Sequence, residues 1–161
     1  MRPEEFAVLI SVLAAAGAVA PVTAQTMRST ASVSTAEQQP ADQQPKDGVA
    51  VTYPVTLSGG DLDGCVAQIH ENLFPRDDGA WGIYQVATDL GCENGGFKFV
   101  SAGAWDGSGF HGSGVVVPDS GTGDFEGLAA RIAQIGGGLT PIEGTKDLQI
   151  KYELIVDPVV E

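Results

Sequence analysis

Residues 120–137 read SGTGDFEGLAARIAQIGG, and this stretch admits more than one fold. Taken alone it is a good amphipathic helix. Asp124 is an N-cap, Leu128, Ile132 and Ile135 recur at helical spacing, and Gly136 is a stop. Taken as extended chain, Gly121, Gly123 and Gly127 make a bend that feeds a strand. A third reading, a loop cradling phosphate, fails on spacing. The third glycine falls one residue late for the dinucleotide fingerprint, and Gly144-Thr145-Lys146 lacks the earlier glycine of a P-loop. The glycines make a bend, and the rest of the chain decides between helix and strand beyond it.

The rest of the chain alternates with period two. In LQIKYELIV, residues 148–156, Leu148, Ile150, Tyr152, Leu154 and Val156 share one face against Gln149, Lys151 and Glu153. The runs beginning at Val49, Cys65, Ala80, Phe97 and Phe110 read the same way, separated by the turn segments PRDDG at 75–79, GCENGG at 91–96 and DGSG at 106–109. Short strands at such spacing, with no helices between them, form a meander that closes into a barrel or folds into a sandwich. The expected fold is therefore all-β, a single antiparallel barrel of seven or eight strands spanning residues 49–161.

The first 24 residues read as a signal peptide. Phe6–Ala20 is an apolar run too short to cross a bilayer as a helix, and Val22-Thr23-Ala24 is a small-x-small cleavage pattern. Arg2 is the only base ahead of the run, opposed by Glu4 and Glu5, so an uncleaved anchor is the alternative. No cysteine near the cleavage point supports a lipoprotein. Residues 25–48, with five Gln, two Pro and almost no large apolar side chains, read as a disordered linker. The whole chain has 21 acids, 8 bases and a net charge of −13; without Arg2, Glu4 and Glu5 it has 19 and 7, a net of −12. That charge keeps an exported protein soluble and repels nucleic acid and anionic membrane surfaces.

Gly121-Thr122-Gly123-x-Phe125-Glu126-Gly127-Leu128, with a terminal alternating strand containing Tyr152-Glu153-Leu154, resembles allene oxide cyclase and the dirigent proteins. The likeness spans residues 80–157 and is specific only over 115–135. Those families form eight-stranded calycin-like barrels, so the resemblance implies that Leu128–Ile135 is extended, against the local helix signal. Ala130 stands where those families tend to have another glycine. The resemblance further implies a cavity that binds a hydrophobic small molecule, an isomerase or cyclase working without a cofactor, and a homo-oligomer, commonly a trimer. It transfers no catalytic residue.

The residues themselves offer few chemical groups. His70 and His111 are the only histidines, without ligand spacing, so no metal site is expected. DLDG at 61–64 starts like a calcium loop, but Asn72 stands where its bidentate Glu belongs. Ser113 and Ser120 lie in glycine-rich turns with no identifiable base. Glu71 is the one acid–base candidate: it shares a face with Cys65, Ala67, Ile69 and Leu73, and a carboxyl inside an apolar barrel has its pKa raised. The competing reading is an outward charge beside a strand end. Tyr84 and Tyr152 are expected cavity-lining residues, each an apolar body with one hydroxyl. The paired Gly-Ala-Trp tripeptides ending at Trp81 and Trp105 are read as core filling. Two function classes stay open, a barrel that binds and steers a hydrophobic ligand and a non-catalytic interaction barrel with a filled interior.

The two cysteines make one more expectation. Opposed residues of an antiparallel hairpin have position numbers of constant sum, and the midpoint of Cys65 and Cys92 falls between Asp78 and Gly79, inside the PRDDG turn. The hairpin therefore places the two sulfurs opposite each other, and an oxidising compartment joins them.

Overall fold

The computed structural model describes residues 25–160. Eleven strands occur among them: β1 (Met27–Ser34), β2 (Gln39–Pro40), β3 (Val49–Thr56), β4 (Val66–Arg76), β5 (Trp81–Cys92), β6 (Gly95–Asp106), β7 (Gly109–Val116), β8 (Thr122–Gly123), β9 (Ala130–Gly136), β10 (Thr140–Pro141) and β11 (Leu148–Pro158). All pair antiparallel in one sheet of order β1-β11-β9-β7-β6-β5-β4-β3-β2, with β10 on β11 and β8 on β6. The count exceeds the expected seven or eight because β2, β8 and β10 are two-residue pairings, leaving eight strands of seven residues or more. The sheet curls into a half-barrel. At one corner its two sides meet, where Thr30 and Ser58 exchange backbone hydrogen bonds of 3.0 and 2.9 Å.

The linker expected over residues 25–48 is corrected. Met27–Ser34 is a wall strand, matched to β11 from Met27 opposite Val156 to Ser34 opposite Gln149. Its inward residues Ser29, Ala31 and Val33 are buried, Ala31 at 0% exposure and Val33 at 1%. Composition misled because these side chains are small. They sit where β11 supplies the bulk, Ala31 facing Tyr152 and Ser29 facing Leu154. A strand at a sheet edge is held by its ladder of hydrogen bonds as well as by its own apolar area. The expected signal peptide, residues 1–24, lies outside the described residues.

The stretch at 120–137 divides in two. Thr122–Gly123 pairs with Gly95 and Gly96, and Phe125 inserts its ring against Phe97 at 5.2 Å. Gly123 has φ 59°, and a Cβ there would lie 2.1 Å from the Asn94 carbonyl oxygen, so the bend demands glycine. Gly127, at φ 75°, turns the chain toward β9. The chain is then extended over Ala130–Gly136, between β7 and β11, while Leu128 is buried just ahead of the strand. Strand wins over local helix propensity because both edges find partners and the inward set Ala130, Ile132 and Gln134 is buried. Ile135, on the dry stripe of the helical reading, is instead 45% exposed on the outer wall.

The β4–β5 hairpin has the expected register. Val66 faces Gly91, so the pair beyond it is Cys65 and Cys92, which are disulfide-bonded with Cα atoms 4.4 Å apart. This end of the sheet is filled by Leu57, Leu62, Leu90, Phe97 and Phe125. The opposite end is not filled.

Candidate functional site

The register rows of the sheet define the unfilled end. One row runs Leu73, Tyr84, Gly103, Gly112, Gln134 and Leu154 across β4, β5, β6, β7, β9 and β11. Its two glycines remove side chains from the inner wall, and Tyr84 fills the space. A Cβ at Gly112 would stand 2.1 Å from the Tyr84 hydroxyl, and one at Gly103 2.7 Å. In the next row toward the open end, Trp105 faces Phe110, which faces Gly136, which faces Tyr152. Phe110 packs edge-on against both Tyr84 and Tyr152, with ring centroids 5.8 and 5.4 Å apart.

These rings wall a cavity of about 240 Å³. Tyr53, Glu71, Tyr84, Trp105, Phe110 and Tyr152 line it, and among the described residues no Lys, Arg or His does. Two broader hollows, of about 610 and 670 Å³, run over the outer wall beside Val100, Val115 and Ala133, and the first also takes in Glu71, Val86 and Ser101.

Glu71 turns inward, so the reading of it as an outward surface charge is set aside. Its Oε2 accepts a 2.8 Å hydrogen bond from the Tyr53 hydroxyl. Burial raises the Glu71 carboxyl to about 7, and the Tyr53 bond offsets part of that rise. Burial also pushes the Tyr53 hydroxyl upward, reinforced by the Glu71 charge. The Tyr84 hydroxyl is pushed up to about 12, first by burial and then by Glu71. Tyr152 is raised by the same two causes, with Tyr84 adding to them. All three tyrosines are therefore neutral around pH 7, and Glu71 is the group that titrates there.

Polarity inside the barrel is not fully paired. The Tyr84 hydroxyl, on a residue only 4% exposed, has no hydrogen-bond partner among the described residues, and neither does the Thr88 hydroxyl. Ser101 donates to Gln134 Oε1 at 2.7 Å in the interior. An arrangement of one carboxyl that titrates near pH 7 among aromatic walls can orient a small molecule and exchange a proton with it.

The structure thus gathers the three site candidates of the sequence, Glu71, Tyr84 and Tyr152, at one cavity. Tyr53 and Gln134 were missed. Tyr53 carries a legible signal, a hydroxyl on the inward face of VAVTYPVTL between Val51 and Val55. Gln134 is legible only once residues 130–136 are taken as extended, which makes it a polar residue at an inward position. The motif residues Gly121, Thr122, Gly123, Phe125 and Gly127 serve the closed end. Trp105 lines the cavity, but core filling is wrong for Trp81, which is 45% exposed and donates from its indole nitrogen to Asp77 at 2.6 Å. His70 and His111 are exposed on the outer wall. Asp61 and Asp63 accept backbone hydrogen bonds from Arg28 and Gly59, shaping the turn after β3.

Fold and site define a small, disulfide-bonded, barrel-like β domain with an aromatic cavity at one end. A family model described as a protein of unknown function (DUF3224) matches residues 27–153, and the chain belongs to that family. The match begins at the first residue of β1, in keeping with that strand being part of the domain. Among curated proteins, none matches the chain.

Proposed function

We propose that the chain is an exported small-molecule-binding barrel whose cavity takes a hydrophobic ligand and holds it in a compact shape. One observation carries this reading: a cavity of about 240 Å³ at the open end, walled by Tyr53, Tyr84, Trp105, Phe110 and Tyr152 around the inward carboxyl of Glu71. A concave, mostly apolar site with one convergent polar group is the usual form of a small-molecule pocket. The cavity volume, about 240 Å³, lies just below the range of drug-sized pockets, so the ligand is small. The Cys65–Cys92 bridge supports export to an oxidising compartment.

The resemblance to allene oxide cyclase and dirigent proteins supports a further step, the steering of ring closure in the bound molecule, or of the coupling of radicals that a separate oxidant has already formed. Ring closure is an isomerisation that consumes no co-reactant. A wall that holds the reacting ends together supplies the orientational part of the barrier without a strong acid–base motif. The test is to incubate the protein with crude hydrophobic extracts, remove unbound material by gel filtration, and identify retained molecules by mass spectrometry after denaturation. Retention of a small apolar molecule is the expected result. Protein recovered empty from every extract contradicts the reading and favours an interaction barrel.

A further inference from the structure

The chemistry of the cavity narrows the ligand class. Glu71 is an acid inside an apolar site, and among the described residues only Tyr53 donates to its carboxyl. Among the described residues, no cationic side chain lines the cavity. An ionised carboxylate taken from water without a counter-ion is costly, so Glu71 holds its proton up to about pH 7, and a cation placed beside it would favour the ionised form. Around the acid stand Tyr53, Tyr84, Trp105, Phe110 and Tyr152, whose ring faces carry negative potential. Aromatic rings around a small cavity attract cations, more strongly when the site is dry. Beyond the site, a net charge of −13 draws cations toward the chain and disfavours anions.

We infer that the cavity binds a small organic cation, a molecule with a ring-sized apolar body and an ammonium head that pairs with Glu71 among the tyrosines. This rests on the reading of the cavity as a ligand site, and it goes beyond it by excluding carboxylate-headed ligands. An anionic head would meet Glu71 as a like charge with no base to offset it. A neutral head would gain nothing from the charge of ionised Glu71.

Affinity for such a ligand depends on pH with a definite sign. Free Glu71 titrates at about 7, and the ammonium selects the ionised form. Below that pH the carboxyl must lose a proton on binding, so affinity falls as pH falls, by at most about tenfold per unit. The other groups facing Glu71 do not titrate in this range. Tyr53 on β3, Tyr84 on β5 and Tyr152 on β11 are held neutral by burial, and Ser101 on β6, Phe110 on β7 and Gln134 on β9 carry no ionisable proton there. His70, next in sequence, is exposed on the outer wall.

A matched series separates the possibilities by calorimetry: 3-phenylpropylamine, 3-phenylpropan-1-ol and 3-phenylpropanoate, each with wild type and with Glu71→Gln between pH 6 and 8.5. Gln retains an acceptor for Tyr53, and circular dichroism of the variant checks that the sheet persists. The amine is expected to bind wild type about tenfold or more tighter than the alcohol, and the carboxylate most weakly. Glu71→Gln should abolish the amine's advantage and its pH dependence together. If the alcohol or the carboxylate binds wild type as well as the amine, the cation inference is overturned while the ligand site survives. If no member of the series binds, both fall.

Discussion

Replacing Cys65 and Cys92 together by alanine is expected to lower the stability of the folded domain by about 3–4 kcal/mol. The bridge closes a loop with a sequence separation of 27 and restricts the unfolded chain accordingly. It also pins the filled end of the barrel, where Cys65 packs with Leu62, Leu90 and Phe97 in the buried core. The loss falls toward the lower figure if the β4–β5 hairpin keeps some structure when the rest unfolds. Urea denaturation of wild type and the double variant gives the difference. Wild type unfolded in the presence of reductant should lose a similar amount. Equal stability of all three would mean that the bridge contributes nothing and that the hairpin register alone holds this end.

Tyr152→Ala is expected to have the second large effect, on two readouts at once. Tyr152 is buried on β11, faces Ala31 across the sheet and packs edge-on against Phe110. Removing its ring empties core volume and should cost about 3–5 kcal/mol. Because the same ring lines the cavity, ligand affinity should fall with it, measured on the folded fraction at low denaturant. Tyr152→Phe keeps the ring and removes only the hydroxyl, so it should retain most of the stability. Should Tyr152→Ala destabilise the fold while leaving affinity unchanged, Tyr152 is core alone and its place in the site is wrong.

Period two carried most of the fold. Strands β3 to β7 and β11 stand where alternation places them, and the cysteine positions fixed the β4–β5 register. The failures have physical causes. Met27–Ser34 escaped because its inward residues are small, and smallness is a property of the partner strand, Tyr152 and Leu154 opposite, more than of the segment itself. Ala130–Gly136 carries a true helical pattern, overridden by two neighbouring strands that no local window contains. Trp81 and Trp105 share a tripeptide, yet Trp81 lies on the outer wall while Trp105 lies across the register pair with Gly82, so similar sequence met opposite faces.

The site was legible as candidates and not as a site. Alternation put Glu71, Tyr84 and Tyr152 on inward faces of three different strands. Only the sheet order, which brings β4, β5 and β11 around one cavity, makes them neighbours. The glycines that make room for the Tyr84 ring, Gly103 and Gly112, carry no side chain that could mark an inward position in the sequence. Their role appears only where the Tyr84 hydroxyl crosses both.

The central claim is that the interior end of the barrel, and not its outer wall, is the binding site. Nuclear magnetic resonance of side-chain-labelled protein, titrated with 3-phenylpropylamine, tests it most directly. The account predicts saturable shifts confined to Tyr53, Tyr84, Trp105, Phe110 and Tyr152, with the Glu71 carboxyl moving to its ionised position. Shifts that instead map to Val100, Val115 and Ala133 on the outer wall, or no saturable shift at any of these groups, would contradict it.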